Sequence, residues 1–357
     1  MSLKTRLIYL AIWVVVTVAV HLLMGVGPSL GKAVLFAVAF LLITWPVRSA
    51  PLHTLALLFF AGLLVVSHVT VLLQFAIKGL FLPPIWSNEG QFLGSVVLAP
   101  ISEEIMKLLP LVLLLLWRKR RGAMLFGATD FMLCGLMIGI GFNLFEDVMK
   151  GPEKLAAINM AAPVVGDVPL VPWAEVQSAR GQPDIVYLGH AAATAFMGLA
   201  LGWSRYLKGK VRYIPVVVAL IWAIWGHALY NGITDISRTS PVWITAPLLQ
   251  IAPYVFLVAV IGAIVFEWLW LRERLPGAEQ TFRQRHRAAR PGLAGGALIW
   301  LDRFWSWLLC RDLVRQIGYA RLRLRVAPEE QPAVTRHVPA VMSELDDRLV
   351  RLEQAAS

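Results

Sequence analysis

"QFLGSVVLAPISEEIMKLLPLVLLLLW", residues 91–117, is long enough to cross a bilayer yet carries Glu103, Glu104 and Lys107 near its middle. A helix needs about 20 mostly apolar residues to span a hydrocarbon core of about 30 Å. Placing one charged side chain at the centre of such a helix costs roughly 2.5–3.5 kcal/mol, so ionisable groups there are rare and usually functional. Side chains three or four residues apart on a helix are neighbours. Lys107 therefore reaches Glu104 or Glu103, but one lysine neutralises only one carboxylate. The other glutamate must be paired from another helix, hold a proton, or be used. Pro100 and Pro110 flank the charges and would bend or break the helix.

The rest of the chain makes the membrane reading general. Of its 357 residues, 58% are hydrophobic and 15% charged, against about 45–50% apolar in soluble domains. Apolar runs place helices at about 7–25, 30–46, 52–77, 91–117, 123–149, 185–206, 213–234 and 245–271. The expected fold is all-α, a polytopic membrane domain of about eight helices over 1–272 with a catalytic core over 91–234, and a basic tail over 273–357. The first run is long and lacks a small-residue cleavage site, so it reads as a retained span rather than a secretion signal. Lys4 and Arg6, Arg48, "RKRR" at 118–121, Arg205 to Arg212, and Arg272 with Arg274 all fall on one side of an eight-span chain. That side, with both termini, is expected to be cytoplasmic.

In the tail, "ALIWLDRFWSWLLCRDLVRQIGY" sets Leu298, Leu301, Trp305 and Leu308 on one face, with Asp302, Arg303, Ser306 and Arg315 largely elsewhere. This pattern predicts an amphipathic helix in the cytoplasmic interface. The net charge of +11 is accounted for by positive-inside loops and a tail beside anionic lipid. No basic module accompanies it, so nucleic acid is not an expected partner. Cys134 and Cys310 form no disulfide framework.

Three further spans carry polar groups at helical spacing. Asn143 and Glu146 share a face of the fifth, with Phe142 one turn before Glu146. His190, Thr194 and Gly198 line one side of the sixth, and His227 and Asn231 one side of the seventh. Counted from the predicted outer ends, Glu146, His190 and Asn231 lie within about two turns of the boundary and His227 and Glu103 somewhat deeper, so four polar faces share the outer half of the membrane. Asp130 and Glu267 lie near inner helix ends, where they are expected to reach the headgroups. His21 and His68 lack a partner motif. Taken singly, each motif is also explained by a buried ion pair or an interhelical hydrogen bond.

On these residues the chain resembles the PrsW family of intramembrane proteases, in the superfamily of the type II CAAX prenyl endopeptidases and bacteriocin-processing proteins. The carrying residues are Glu103-Glu104-x-x-Lys107, Phe142-x-x-x-Glu146, His190-x-x-x-Thr194 and His227-x-x-x-Asn231, in order on four successive helices. They cover about residues 91–234 and leave the first three helices and the tail outside. Lys107 and Glu146 stand where the CAAX branch has arginine and histidine, which favours the PrsW branch. The resemblance implies an oxyanion site at His227 and Asn231, with Glu146 and His190 orienting water or shuttling protons. It also implies a membrane-anchored substrate of the anti-sigma-factor kind, cut near the outer face of a bacterial inner membrane.

Peptide hydrolysis needs an activated water, a stabilised oxyanion and a proton for the leaving amine. Glu103 or Glu104 is the expected general base, with Lys107 holding the other carboxylate. No serine nucleophile stands out: Ser102 adjoins the glutamates without a histidine at helical spacing. A zinc version would use His190, His227, Glu146 and Glu103. With no H-E-x-x-H helix, metal-free catalysis ranks slightly ahead of zinc. A proton- or ion-coupled transporter and a non-catalytic scaffold of the same fold are the rival classes.

Overall fold

Residues 27–84, 87–121, 126–159, 175–177, 185–232, 247–274, 297–326 and 331–354 are described by a computed structural model of the chain. Its helices are α1 (Gly27–Ile43), α2 (Leu52–Phe60), α3 (Ser67–Phe81), α4 (Asn88–Phe92), α5 (Ala99–Arg121), α6 (Ala128–Asn159), α7 (Gly189–Ser204), α8 (Ile214–Asn231), α9 (Ala252–Arg274), α10 (Ala297–Val326) and α11 (Gln331–Gln354). A short antiparallel ladder, β1 (Glu175–Gln177) with β2 (Ile185–Tyr187), is the strand structure among the described residues. The protein is therefore an all-α membrane protein, as expected.

Among the described residues, four stretches are long and apolar enough to cross a membrane: Leu52–Phe81, Ala128–Met149, Gly209–Asn231 and Ala252–Arg272. The expected count of eight is not established by length and composition. The expected span at 7–25 lies outside the described residues. The α5 helix carries three charges in its first half, and α7 is 16 residues long. The span expected from residue 185 begins instead as β2, and helix starts only at Gly189.

The helices of this core are held by close backbone approach, because lipid removes most of the hydrophobic drive between apolar helices in a bilayer. α6 and α7 lie against each other along their length. A Cβ on Gly139 would meet the His190 carbonyl, and one on Gly198 would meet the Phe131 carbonyl. The α2–α3 helix crosses α6 in the same way, with Gly62 against the Ile138 carbonyl. Gly62 sits in a π-helical stretch, Ala61–Val66, and the Ser67 hydroxyl donates to its carbonyl at 2.7 Å. A second π stretch, Leu93–Leu98, joins α4 to α5.

The prolines do not break the helix as expected. α5 runs through Pro110, and the irregularity lies before Pro100, where Ala99 N–H donates to Gly94 O in the wider π pattern. One extra residue per turn there absorbs the disturbance caused by a proline without an N–H.

Asp130 and Glu267 do not reach headgroups either. Both are fully buried. Asp130 accepts from Ser49 N and Ala50 N at 2.8 Å each, from Ser49 Oγ at 2.6 Å and from Gly127 N at 2.9 Å. Glu267 accepts from Ala128 N, from Thr129 N and Oγ1, from Tyr206 OH at 3.0 Å and from Tyr319 OH at 3.1 Å. They satisfy the orphan N–H groups at the start of α6 and the turn before α2, as carboxylates favour at a helix N-terminus.

α10 exists where the amphipathic pattern placed it. Its second half packs on protein: Arg315 donates to Arg48 O at 2.8 Å, Gln316 to Ser49 O at 3.2 Å and Tyr319 to Val47 O at 2.9 Å. Arg48 and Asp312, both buried, stand 3.5 Å apart. Leu308 is buried as its face predicts; the side chains of Leu298, Leu301 and Trp305 lie outside the description. Both cysteines are buried, and neither is in a disulfide among the described residues.

Candidate active site

Glu104 is the hub. Its Oε1 accepts from Lys107 Nζ at 2.6 Å, from His227 Nδ1 at 3.0 Å and from Tyr187 OH at 3.1 Å. Glu104 and Lys107 are fully buried, and His190 and His227 nearly so. Lys107 Nζ also lies 2.7 Å from His190 Nδ1 and 4.8 Å from the centre of the Phe142 ring. The buried Glu104 and Lys107 charges are thus matched to each other inside the bundle, as a buried charge requires.

The contacts fix the protons on both histidines. A lysine ammonium only donates, so His190 Nδ1 accepts and the ring proton sits on Nε2, 2.5 Å from Glu146 Oε2. A carboxylate accepts, so His227 Nδ1 carries a proton toward Glu104, and Nε2 is the nitrogen turned away from that carboxylate. That Nε2 faces Glu103 Oε2 at 3.9 Å. Glu103 Oε1 accepts from the Gln74 amide at 3.2 Å, while the same amide bonds Ser102 Oγ at 3.0 Å. Glu103 Oε2 and Glu104 Oε2 are buried and lack hydrogen-bond partners among the described residues.

Local structure explains the placement. His190 follows Gly189, whose φ of +71° is the left-handed conformation that favours glycine. The turn from β2 into α7 sets Tyr187 beside His190, with Tyr187 OH 3.2 Å from His190 Nδ1. The Tyr187 ring stacks on His227, centroids 4.9 Å apart and planes 21° from parallel. Glycine contacts between α6 and α7 bring Glu146 alongside His190.

Of the expected site residues, Glu103, Glu104, Lys107, Glu146, His190 and His227 converge. Asn231 is tied elsewhere: its amide donates to Ser95 O at 3.0 Å, in the π stretch before α5. Asn143 bonds Asp147 at 3.1 Å, and the Thr194 hydroxyl bonds the His190 carbonyl at 2.7 Å along its own helix. Tyr187 and Gln74 belong to the centre and were not expected. The i−3 spacing of Tyr187 from His190 was the available signal for the first. Gln74, on the span before the motifs, offered none.

A metal fits these residues. One ligand atom each from Glu103, His190 and His227 lies within 4.8 Å of the others. The nitrogen and oxygen donors suit zinc. Glu103 Oε2 has no competing donor. Glu104 on the far nitrogen of His227 is the carboxylate–histidine support usual behind a metal ligand.

Fold and site define a helical membrane protein with a buried carboxylate–histidine centre assembled between its helices. A family model described as PrsW family intramembrane metalloprotease matches residues 50–263. The match covers more than half of the chain, and the chain belongs to that family of intramembrane proteases. It begins well before residue 91 and so takes in α2 and α3, including Gln74. Comparisons with curated proteins and with solved structures gave no match.

Proposed function

We propose that this protein is a metal-dependent intramembrane endopeptidase that cuts a membrane-anchored, anti-sigma-factor-like protein near the outer face of a bacterial inner membrane. The observation that supports it is the convergence of Glu103, Glu104, His190 and His227, with Glu146, from four helices. All five come from the helix ends opposite the arginine-bearing turns at Arg48, Arg205 and Arg272. With both termini cytoplasmic, those ends face outward.

Glu103, His190 and His227 would hold the ion. When bound, such a metal supplies Lewis-acid polarisation of the scissile carbonyl and a more acidic water. Glu146, 2.5 Å from His190 Nε2, would accept the ring proton if that nitrogen were to serve as a ligand. Glu146, whose side chain is 26% exposed against 13% for Glu103, then carries protons between the reacting water and the leaving amine. Glu104 keeps the His227 proton on Nδ1, and Lys107 offsets the surplus negative charge. Asn231 acts here as a positioning residue, pinning the π stretch that leads into Glu103. A metal-free variant uses Glu103 as general base on water. Its support is the buried, partnerless Oε2 facing His227.

The test is cleavage of a single-span reporter by the full chain in proteoliposomes, combined with metal analysis. About one zinc per chain, activity lost to a strong chelator and regained with zinc, and loss of both metal and activity in Glu103→Ala and His227→Ala are expected. Activity indifferent to chelator selects the metal-free variant. Proton flux without proteolysis sinks the protease reading in favour of transport.

A further inference from the structure

Beside the polar centre, at the same end of the bundle, a cleft of about 790 Å³ opens between the C-terminal turn of α3 and the α4 region. Phe75, Leu82, Pro84, Gln91 and Ser95 line it, together with Lys78. Two contacts tie the walls of the cleft to residues at or beside the polar centre. Gln74, next to Phe75 on α3, touches Glu103, and Ser95, on the opposite wall, holds Asn231 through its carbonyl.

Lys78 is the charged group of this wall. Its stem lies against Gly94, where an added Cβ would come within 3.1 Å of Lys78 Cε. Its place in the last turn of α3 suits the helix dipole. Yet among the described residues no ion pair or hydrogen bond engages its ammonium. A half-buried cation without a partner, in an otherwise mostly apolar cleft, is complementary to an acidic group on whatever enters.

We infer that this cleft is a substrate subsite, in which Lys78 recognises an acidic side chain in the juxtamembrane segment of a single-span protein. The inference rests on the protease reading for the identity of the occupant. Gln74 and Lys78 are one turn apart, about 6 Å along the helix axis. An extended chain covers that distance in about two residues. The acidic residue is therefore placed about two residues from the bond presented to Glu103. Gly79 leaves backbone open on the α3 wall, with nothing within 4 Å of the place a Cβ would take, so an extended segment can lie close to that wall.

The test measures binding without cleavage. The full chain carrying Glu103→Gln is placed in nanodiscs of zwitterionic phosphatidylcholine, where no anionic headgroup competes for Lys78. The probe is a synthetic leucine/alanine single-span peptide with a fluorophore and one Asp in its outer juxtamembrane segment. The matched peptide carries Asn. The Asp probe is expected to bind about three- to tenfold tighter than the Asn probe, the range for a partly desolvated charge pair. In Lys78→Met, which keeps the stem against Gly94, that preference disappears. In Lys78→Glu a Lys-bearing probe becomes the tighter one. Equal affinities for the Asp and Asn probes on Lys78, a preference that survives Lys78→Met, or failure of both probes to bind overturns the subsite. None of these outcomes depends on whether Glu103-intact protein cuts a reporter, so the subsite and the protease reading fail separately.

Discussion

Lys107 Nζ stands 2.6 Å from Glu104 Oε1, with both side chains fully buried. This contact divides the glutamate pair: Lys107 holds Glu104, and Glu103 is left to Gln74 on one oxygen and to His227 across 3.9 Å on the other. Removing one partner of a buried pair leaves an uncompensated charge and costs about 3–5 kcal/mol. Lys107→Met should therefore destabilise the protein by about that much and abolish cleavage. Adding Glu104→Gln should return much of the stability, because no charge then stays unpaired, without returning activity. Thermal unfolding of the two single variants and the double variant in detergent measures the coupling; simple additivity of the two losses would contradict the pairing.

Tyr187 carries a hydroxyl shared between Glu104 and His190 and a ring stacked on His227. Tyr187→Phe keeps the ring and removes the hydroxyl. A hydrogen bond to a charged group contributes about 1.5–3 kcal/mol, so reporter cleavage should fall by roughly ten- to a hundredfold. Metal content should stay at the wild-type level, since the expected ligands are untouched. Tyr187→Ala should lose metal as well, because His227 loses the surface that orients its ring. Unchanged cleavage in Tyr187→Phe would remove Tyr187 from the site.

How far the sequence reveals this arrangement follows from what each residue's neighbours can encode. Glu103, Glu104, Lys107, Glu146, His190 and His227 were legible because charge inside an apolar helix is expensive, so its mere presence marks a site. Helical spacing then put each on a face. Tyr187 stood out less, since an aromatic ring sits naturally in an apolar run and its i−3 spacing from His190 was the one mark that it carried. Asn231 was misplaced for a related reason. Spacing puts it on the face of His227, but the π stretch at Leu93–Leu98 brings Ser95 O within its reach first. Asp130 and Glu267 looked like interfacial charges by depth. Depth along one helix says nothing of the α10 and α1–α2 backbone that packs over them.

Gly139 tests whether the site depends on the approach of α6 and α7. A Cβ there would meet the His190 carbonyl at 2.5 Å, which is backbone and cannot swing aside. Gly139→Ala should push α7 outward at His190 and open the His190–Glu146 contact. Overpacking of this kind costs about 1–3 kcal/mol. The expected result is a folded protein with a lower unfolding temperature and cleavage reduced more than the temperature shift alone explains. Retention of full activity would show that the His190 backbone has slack in the bundle.

The tail can be tested through Tyr319, whose one hydroxyl hydrogen is shared between Val47 O at 2.9 Å and Glu267 at 3.1 Å. The expected domain division at residue 272 treats the tail as a separate unit. Yet Tyr319 lies on α10 and touches both the turn before α2 and the carboxylate that caps α6. Burial raises the Tyr319 hydroxyl well above its ordinary pKa, with the Glu267 charge acting in the same direction, so it keeps its proton and can donate at physiological pH. Tyr319→Phe leaves the fully buried Glu267 with fewer donors, at a cost of about 1–3 kcal/mol. If the tail is part of the structural unit, the unfolding temperature of the whole membrane domain falls, and proteolysis of the tail becomes faster. If the tail is an independent appendage, only its own protease sensitivity changes and the membrane domain unfolds at the wild-type temperature. Truncation after residue 274 separates the two further, because it removes Tyr319, Gln316 and Arg315 together and should destabilise the membrane domain by more than Tyr319→Phe alone.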